Sequence, residues 1–443
     1  MRLRMSLMLL LNSFFLEKAL AVDSTTHLNL DLPVLDSPFN FANRGSFPSM
    51  QQSLVITKGF YRFSHLGISK FIDPYSESWW TRLFGRLSIL TYDVLTDALP
   101  PASAWLHEEW HRAVMSEHDI DSYNGVYDFN GGGSIPVRKV KDEDLENLKK
   151  DHPEDFVRLS AAGFESQYEL SFAFEKDIFF HDTHTWDYAQ IFLNYADASS
   201  YMGLCASNAA DKATEDSEDN EGTDISKRDF TGLDCTAWAY DLDRPDEPYS
   251  DRGIHPSGVG IRRYIRFSDL DQSEQTYLKK QNDLLYLNYL DPFLLGFNGF
   301  HWGSWLWNST VRHHLTSFGT STDLNIFLRK SDFKLLTILH AYSGKARIFP
   351  GFEIQLIDRP FLFFERSFFL TPRFMIWQQP EDQLFASHEG VWGALLSLRA
   401  SYLTDKKLSP FVELEAKTQG WVAGIVYTSR SFATRIGVIW NRI

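Results

Sequence analysis

Five consecutive residues of this chain, His107-Glu108-Glu109-Trp110-His111, carry the groups that metal-assisted hydrolysis requires. Residues four apart on a helix project from the same face, so two imidazoles at this spacing can bind one divalent cation together. Imidazole is a good ligand for Zn²⁺, and a carboxylate beside the metal can accept a proton from a bound water. The spacing therefore predicts zinc ligands at His107 and His111, with Glu108 as the general base.

A catalytic zinc site needs a third protein ligand. On a later segment that is predicted to be helical, Glu165 and Glu169 stand four residues apart. Here the chain resembles the gluzincin group of zinc metallopeptidases, in which HExxH is followed by a glutamate on a later helix and an acidic residue four positions on. The resemblance covers residues 107–169 and implies that Glu165 is the third ligand and that Glu169 hydrogen-bonds a ligand histidine. No motif matches the group that stabilises the transition state in that family; the candidates nearby in sequence are Tyr123, Tyr127 and His118.

Two other interpretations of the HExxH segment stay open at this stage. The helix could be a solvated face without a metal, or the metal could be purely structural. The apolar neighbours Trp105, Leu106 and Val114 favour a buried helix. Burying two histidines and several carboxylates without a cation or another partner would cost free energy, so a metal site is favoured.

The size and charge of the chain limit its class. Its 443 residues suffice for two or three domains with substantial cores. A formal net charge of −15 argues against nucleic-acid binding, because a phosphate backbone requires an excess of Lys and Arg. We therefore expect no nucleic-acid partner.

The first residues are typical of an export signal. Arg2 and Arg4 precede a largely apolar stretch, and Ala19-Leu20-Ala21 offers small residues at a cleavage site. The alternative is a short membrane anchor, but about a dozen apolar residues are too few to span a bilayer of about 30 Å. Residues 1–21 are therefore predicted to be a signal peptide.

The chain has two cysteines, Cys205 and Cys235, on either side of a polar and acidic stretch. In an exported protein they are expected to form a disulfide that closes this loop, whereas two unpaired buried thiols are the alternative.

The predicted domain order is as follows: residues 22–53 form an extended lead-in, 54–204 a helical zinc-site domain, 205–235 the disulfide-closed acidic loop, 236–322 a helical and aromatic connecting region, and 323–443 a β domain.

From about Asp323 the apolar residues recur with a period of two, as in residues 411–418 and 431–443. The predicted fold class is α+β: a helical, zincin-like domain followed by an antiparallel β-meander. The last 120 or so residues resemble a bacterial outer-membrane β-barrel, which implies a small transmembrane barrel with its apolar face toward lipid. They depart from that family at the final residue, Ile443, which is not aromatic. The alternative is a soluble periplasmic sheet that covers the helices with its apolar face.

These observations together predict an exported, zinc-dependent hydrolase of the bacterial periplasm or outer membrane. A metallopeptidase acting on peptide or protein substrates of the envelope is the first expectation, with possible membrane association through residues 323–443. The first alternative is a non-enzymatic outer-membrane barrel or envelope binding protein. The second is a zinc amidase that acts on lipid or cell wall, because HExxH chemistry does not distinguish among amide substrates.

Overall fold

The computed structural model describes residues 28–41, 48–72, 78–129, 135–181, 187–363, 366–402, 404 and 408–442. The predicted signal peptide, residues 1–21, lies outside them. Within the described residues the fold is α+β, as predicted, with nine α-helices and an antiparallel sheet of eleven strands. No helix in this part of the chain is long and apolar enough to cross a membrane.

The described part of the chain contains nine α-helices. Their bounds are α1 Met50–Phe71, α2 Trp79–Thr96, α3 Ser103–Glu117, α4 Asp142–Asp151, α5 Pro153–His181, α6 Tyr188–Cys205, α7 Ala209–Asn220, α8 Asp234–Asp243 and α9 Gln272–Leu285.

Helix α5 is the central helix, with 29 residues that are buried on nearly all sides. It begins with Pro153, whose fixed φ suits the first helical position, and Glu154 and Asp155 place negative charge at its positive end. It packs against α3, α6, α8 and the sheet. The elements that carry the predicted site residues are therefore held against one another by α5.

The strands form one large sheet and a two-stranded ribbon. Their bounds are β1 Leu28–Ser37, β2 Tyr123–Asn124, β3 Val137–Arg138, β4 Phe300–Trp302, β5 Trp305–Thr316, β6 Gly319–Lys330, β7 Phe333–Ser343, β8 Ile348–Leu356, β9 Arg359–Phe363, β10 Arg366–Pro380, β11 Gly390–Tyr402, β12 Leu408–Lys417 and β13 Ser431–Arg442.

The strand order in the large sheet is β1-β13-β12-β11-β10-β8-β7-β6-β5-β4, with β9 paired to β10. Among the described strands, β1 and β4 stand at the two ends of this order and are not paired with each other. The sheet is therefore open, which corrects the suggestion of a closed barrel.

Two parts of the sheet lie outside the predicted β region. Residues 28–37 of the lead-in form β1, which pairs antiparallel with β13 from Leu28↔Arg442 to Ser37↔Thr434. Strands β4 and β5 precede residue 323. The end of β5, from His313 to Thr316, is buried on every residue, so it lacks the alternation by which a half-exposed strand is recognised.

Several strands of the sheet bury charged side chains and expose apolar ones. In β12, Glu415 and Lys417 are buried, whereas Val412 and Leu414 are exposed. Strands β8 and β13 are similar, with Glu353 and Arg435 buried. Exposed apolar residues lie on β8 and on β10–β13: Phe352, Phe374, Ile376, Leu396, Leu398, Phe432 and Ile436. The buried face of these strands is not only charged, because it also includes Phe349, Met375, Trp377 and Leu395. The alternative of a sheet that covers the helices with its apolar face stays a prediction.

Candidate metal centre

The HExxH segment lies on helix α3, as predicted. Trp105, Leu106 and Trp110 of this helix are buried in the core, which fixes the orientation of the helix about its axis. His107 and His111 therefore lie on one side, with ring centroids 4.9 Å apart. His111 is buried, whereas His107 and Glu108 are partly exposed. The local helix thus brings two imidazoles and one carboxyl group to the same place.

The carboxylate that joins the two histidines belongs to Asp234, the first residue of α8. Its Oδ2 lies 3.0 Å from Nε2 of His107 and 3.4 Å from Nε2 of His111. One ligand atom from each of the three residues lies within 4.8 Å of the other two. These three residues could therefore hold a metal ion.

Helix α5 contacts both histidines and fixes their orientation. His111 Nδ1 lies 2.5 Å from the carbonyl oxygen of Leu159, to which it donates when protonated there, so that Nε2 faces Asp234. A backbone carbonyl on the outer nitrogen of a ligand histidine fixes its tautomer and its ring orientation. One turn further along, Gly163 packs directly against the His107 ring, and a Cβ at this position would overlap that ring. The site thus depends on the close approach of α3 and α5.

The charges of the cluster favour an ionised Asp234. Burial alone would raise the pKa of Asp234, but His111 and His107 lower it to about 2. In the same way, burial would lower the pKa of His111, but Asp234 raises it above its ordinary value. The backbone N–H of Asp234 donates to the hydroxyl of Tyr201 over 2.9 Å, which further fixes this residue.

Two more carboxyl groups face the cluster. Burial and the neighbouring charges of Asp234 and Asp229 raise the pKa of Glu108 well above its ordinary value. Burial, Asp234 and Glu221 also raise the pKa of Asp229 to about 7. Three carboxyl groups around two imidazoles create a negative potential that a divalent cation would offset.

The structure places Glu165 outside this cluster. Its Oε1 accepts hydrogen bonds from Arg158 at 2.8 Å and from the Gly424 N–H at 2.9 Å. Its Oε2 accepts from Trp421 Nε1 at 3.3 Å. Glu165 therefore joins α5 to the connection between β12 and β13, and Asp234 stands where Glu165 was predicted.

Glu169 lies further along the same side of α5. Burial raises its pKa to about 7, while Lys176 and Arg373 act in the opposite direction. It therefore faces the charged inner side of the sheet. The carbonyl of Leu159 takes the role that was predicted for Glu169, which is to orient a ligand histidine.

The three residues suggested as stabilisers of the transition state also lie outside this cluster. The Tyr127 hydroxyl accepts from Trp105 Nε1, the Tyr123 hydroxyl donates to Asp128, and His118 binds Asp155 at the far end of α3. Tyr201 of α6 is the tyrosine beside the cluster: its ring centroid is 6.4 Å from that of His107. Burial, Asp234 and Asp229 raise the pKa of Tyr201 well above its ordinary value, so its hydroxyl keeps its proton.

The predicted disulfide between Cys205 and Cys235 is confirmed. It joins the last residue of α6 to the second residue of α8, so Asp234 is adjacent to a cross-linked position. This adjacency is the signal in the sequence that could have pointed to Asp234. The residues between the cysteines are not only a loop, because they include helix α7.

Comparison of the chain with protein-family models, curated proteins and solved structures finds no match.

Proposed function

We propose that the protein is a zinc-dependent hydrolase in which His107, His111 and Asp234 bind the metal and Glu108 is the general base. The observation that carries this proposal is the convergence of two imidazole nitrogens on one carboxylate oxygen, at 3.0 and 3.4 Å. Ligands at about 2 Å from a tetrahedral ion are about 3.3 Å apart, which is close to these two distances.

The donor set also fits zinc by its chemistry. Two imidazoles and one carboxylate are typical of catalytic zinc, and three protein ligands leave a fourth position for water or substrate. Asp234 is ionised over the neutral pH range, because its pKa is about 2. When bound, zinc would supply a Lewis acid and lower the pKa of a water molecule toward about 7.

The side chains around the ligands would perform the proton transfers. Glu108 directly follows His107 on α3, and its raised pKa suits a group that accepts a proton from water and returns it to a leaving amine. The Tyr201 hydroxyl accepts from the Asp234 N–H and keeps its own proton to donate. We assign it the stabilisation of the developing oxyanion.

An amide bond is the substrate that this set of groups suits, and we propose peptides or proteins as the first class. The test compares zinc-loaded, chelator-treated and zinc-restored protein on unfolded casein and on lipid and cell-wall amides. Zinc-dependent cleavage of casein supports the peptidase; cleavage of only the other amides supports the amidase alternative.

The substitution Glu108→Gln separates catalysis from metal binding. It should leave the zinc content unchanged and abolish hydrolysis, because an amide cannot accept the proton. Glu109→Gln is the matched control, since Glu109 turns away to Arg112 and Asn124 and should not take part in the reaction. Full activity in Glu108→Gln would refute Glu108 as the general base.

We also propose that the protein is exported and contacts lipid through the sheet. Two observations support this: a disulfide is typical of oxidising compartments, and β8 and β10–β13 expose apolar side chains, while β8, β12 and β13 also bury charged ones. Binding to vesicles of anionic and zwitterionic lipids tests the second part. Leu396→Gln with Phe432→Gln should reduce binding, whereas Phe71→Gln on α1, where the side chain is also exposed, should not. Equal binding by all variants would contradict the lipid contact and leave a partner protein as the alternative.

A further inference from the structure

A second group of possible metal ligands lies at the other end of helix α3. His118 is the residue that follows this helix, His152 separates α4 from α5, and Asp155 is in the first turn of α5. One ligand atom from each lies within 4.8 Å of the other two. We propose that these residues bind a second transition-metal ion of the Zn²⁺ class, which fastens the end of α3 to the start of α5.

The distances suit a shared ion. His118 Nε2 lies 3.0 Å from Asp155 Oδ2, and the ring centroids of His118 and His152 are 4.7 Å apart. Two imidazole nitrogens and one carboxylate oxygen are the donors preferred by Zn²⁺ and its neighbours in the transition series. Ca²⁺ and Mg²⁺ take oxygen ligands, so this donor set selects against them.

An unsatisfied buried oxygen gives independent support. The Asp155 side chain is only 3% exposed, and its Oδ1 has no hydrogen-bond partner among the described residues. Its Oδ2 accepts from Thr428 Oγ1 at 3.2 Å as well as meeting His118. A buried carboxylate oxygen without a donor is costly, and a cation at this point would remove the cost.

A second buried carboxylate oxygen that needs a donor or a cation belongs to Glu117, the last residue of α3. Its Oε2 is also buried and has no hydrogen-bond partner in the described part of the chain. His152, in contrast, has half of its side chain exposed to solvent. The site is therefore built on the buried carboxylate of Asp155 but open on the side of His152, where an ion can enter and a water can complete its shell.

The second site is separate from the first. His111 and His118 are seven residues apart, so about two helical turns, or roughly 10 Å, lie between them. Two metals that act on one substrate are about 3.5–4 Å apart. The second ion would therefore not act on the substrate. It would hold α3 and α5 together, and these are the two helices that position His107 and His111 at Gly163 and Leu159.

Metal analysis of the full chain after equilibration with Zn²⁺ tests this inference, with thermal unfolding as a second readout. Wild type should bind about two ions per chain, and His107→Ala and His152→Ala should each bind about one. Added Zn²⁺ should still raise the melting temperature of His107→Ala but not that of the double variant His107→Ala with His152→Ala. His181→Ala is the matched control: this histidine binds the two carboxylates of Asp177 and Asp358 but belongs to neither cluster, so both ions should remain.

The possible failures are distinguishable. A folded His107→Ala variant that binds no zinc and gains no thermal stability from it would overturn the second site. So would a His152→Ala variant, or a His118→Gln variant, that binds as much zinc as wild type. A wild type with one ion that is lost only in His152→Ala would instead refute the first site and support the second. Circular dichroism of each variant shows whether it is folded, and His152 is exposed enough to be replaced without disturbing the core.

Discussion

Asp234 Oδ2 lies 3.0 Å from His107 Nε2, although 127 residues separate the two in the chain. This contact joins the first turn of α8 to the HExxH helix and completes the proposed ligand set. It also distinguishes Asp234 from Glu165, which the resemblance had implied as the third ligand: Asp234 is beside the histidines, and Glu165 is paired with Arg158.

The first prediction contrasts these two residues. Asp234→Asn should abolish high-affinity zinc binding at the first site, because an amide is a much weaker ligand than a carboxylate. Glu165→Gln should retain that zinc, but it should destabilise the fold by about 3 kcal/mol, since it leaves the fully buried Arg158 without its counter-charge. Zinc titration and chemical denaturation of both variants measure the two effects. Loss of zinc from a folded Glu165→Gln, with binding retained in Asp234→Asn, would restore the ligand set predicted from the sequence.

The second prediction concerns the packing of α5 on the site. Gly163→Ala adds a methyl group where the His107 ring lies, so His107 must move and the first zinc should bind at least 10-fold more weakly. Gly67→Ala is the matched control, because Gly67 is also helical and its Cβ would meet no atom within 4 Å. That control should raise stability by about 0.5–1 kcal/mol and leave zinc binding unchanged. Equal zinc affinity in the two variants would contradict the close approach of the helices.

The third prediction is a pH dependence of stability that arises away from the metal sites. His65 is buried between Asp93, at 2.7 Å, and Asp187, at 2.9 Å. Burial alone would lower the pKa of His65, but the two aspartates raise it to about 10. A raised folded pKa contributes stability that is fully present below the unfolded value of about 6.5 and is lost as pH rises through about 10.

From these values the free energy of unfolding should fall by on the order of 5 kcal/mol between pH 6 and pH 10. Denaturant unfolding across this range measures the slope. His65→Gln should be less stable at pH 6 and should lose most of the slope, whereas His388→Gln, at an exposed position, should retain it. A slope in His65→Gln equal to that of wild type would exclude His65 as its origin.

The fourth prediction concerns the disulfide. Cys205 and Cys235 are 30 residues apart, so replacing both with Ala should destabilise the protein by about 3–4 kcal/mol through the entropy of the unfolded chain. Because Cys235 follows Asp234 directly, zinc affinity at the first site should fall as well. A loss of stability with unchanged zinc affinity would show that α8 holds Asp234 without the cross-link.

Much of the fold could be predicted from local patterns. The period of the apolar residues predicts the helix around the HExxH segment and strands at β6–β8 and β10–β13, because half-buried elements repeat their apolar face at a fixed spacing. Strand β1 is not recognisable in this way, since its place in the sheet depends on pairing with β13 at the opposite end of the chain. Which face of the sheet covers the helices is likewise a property of the assembled molecule.

For the site, the sequence by itself determined the two imidazoles and Glu108, because the helical repeat alone places them together. Only the tertiary structure decided which acidic residue joins the two imidazoles. Gly163 and Leu159, four residues apart on α5, both face the histidines. Glu165 comes two positions after Gly163, so its direction from the helix axis differs from that of Gly163 by about 200°. Glu165 therefore points toward Trp421 and Gly424 on the other side, and the free position beside the imidazoles is filled by Asp234 from a distant part of the chain.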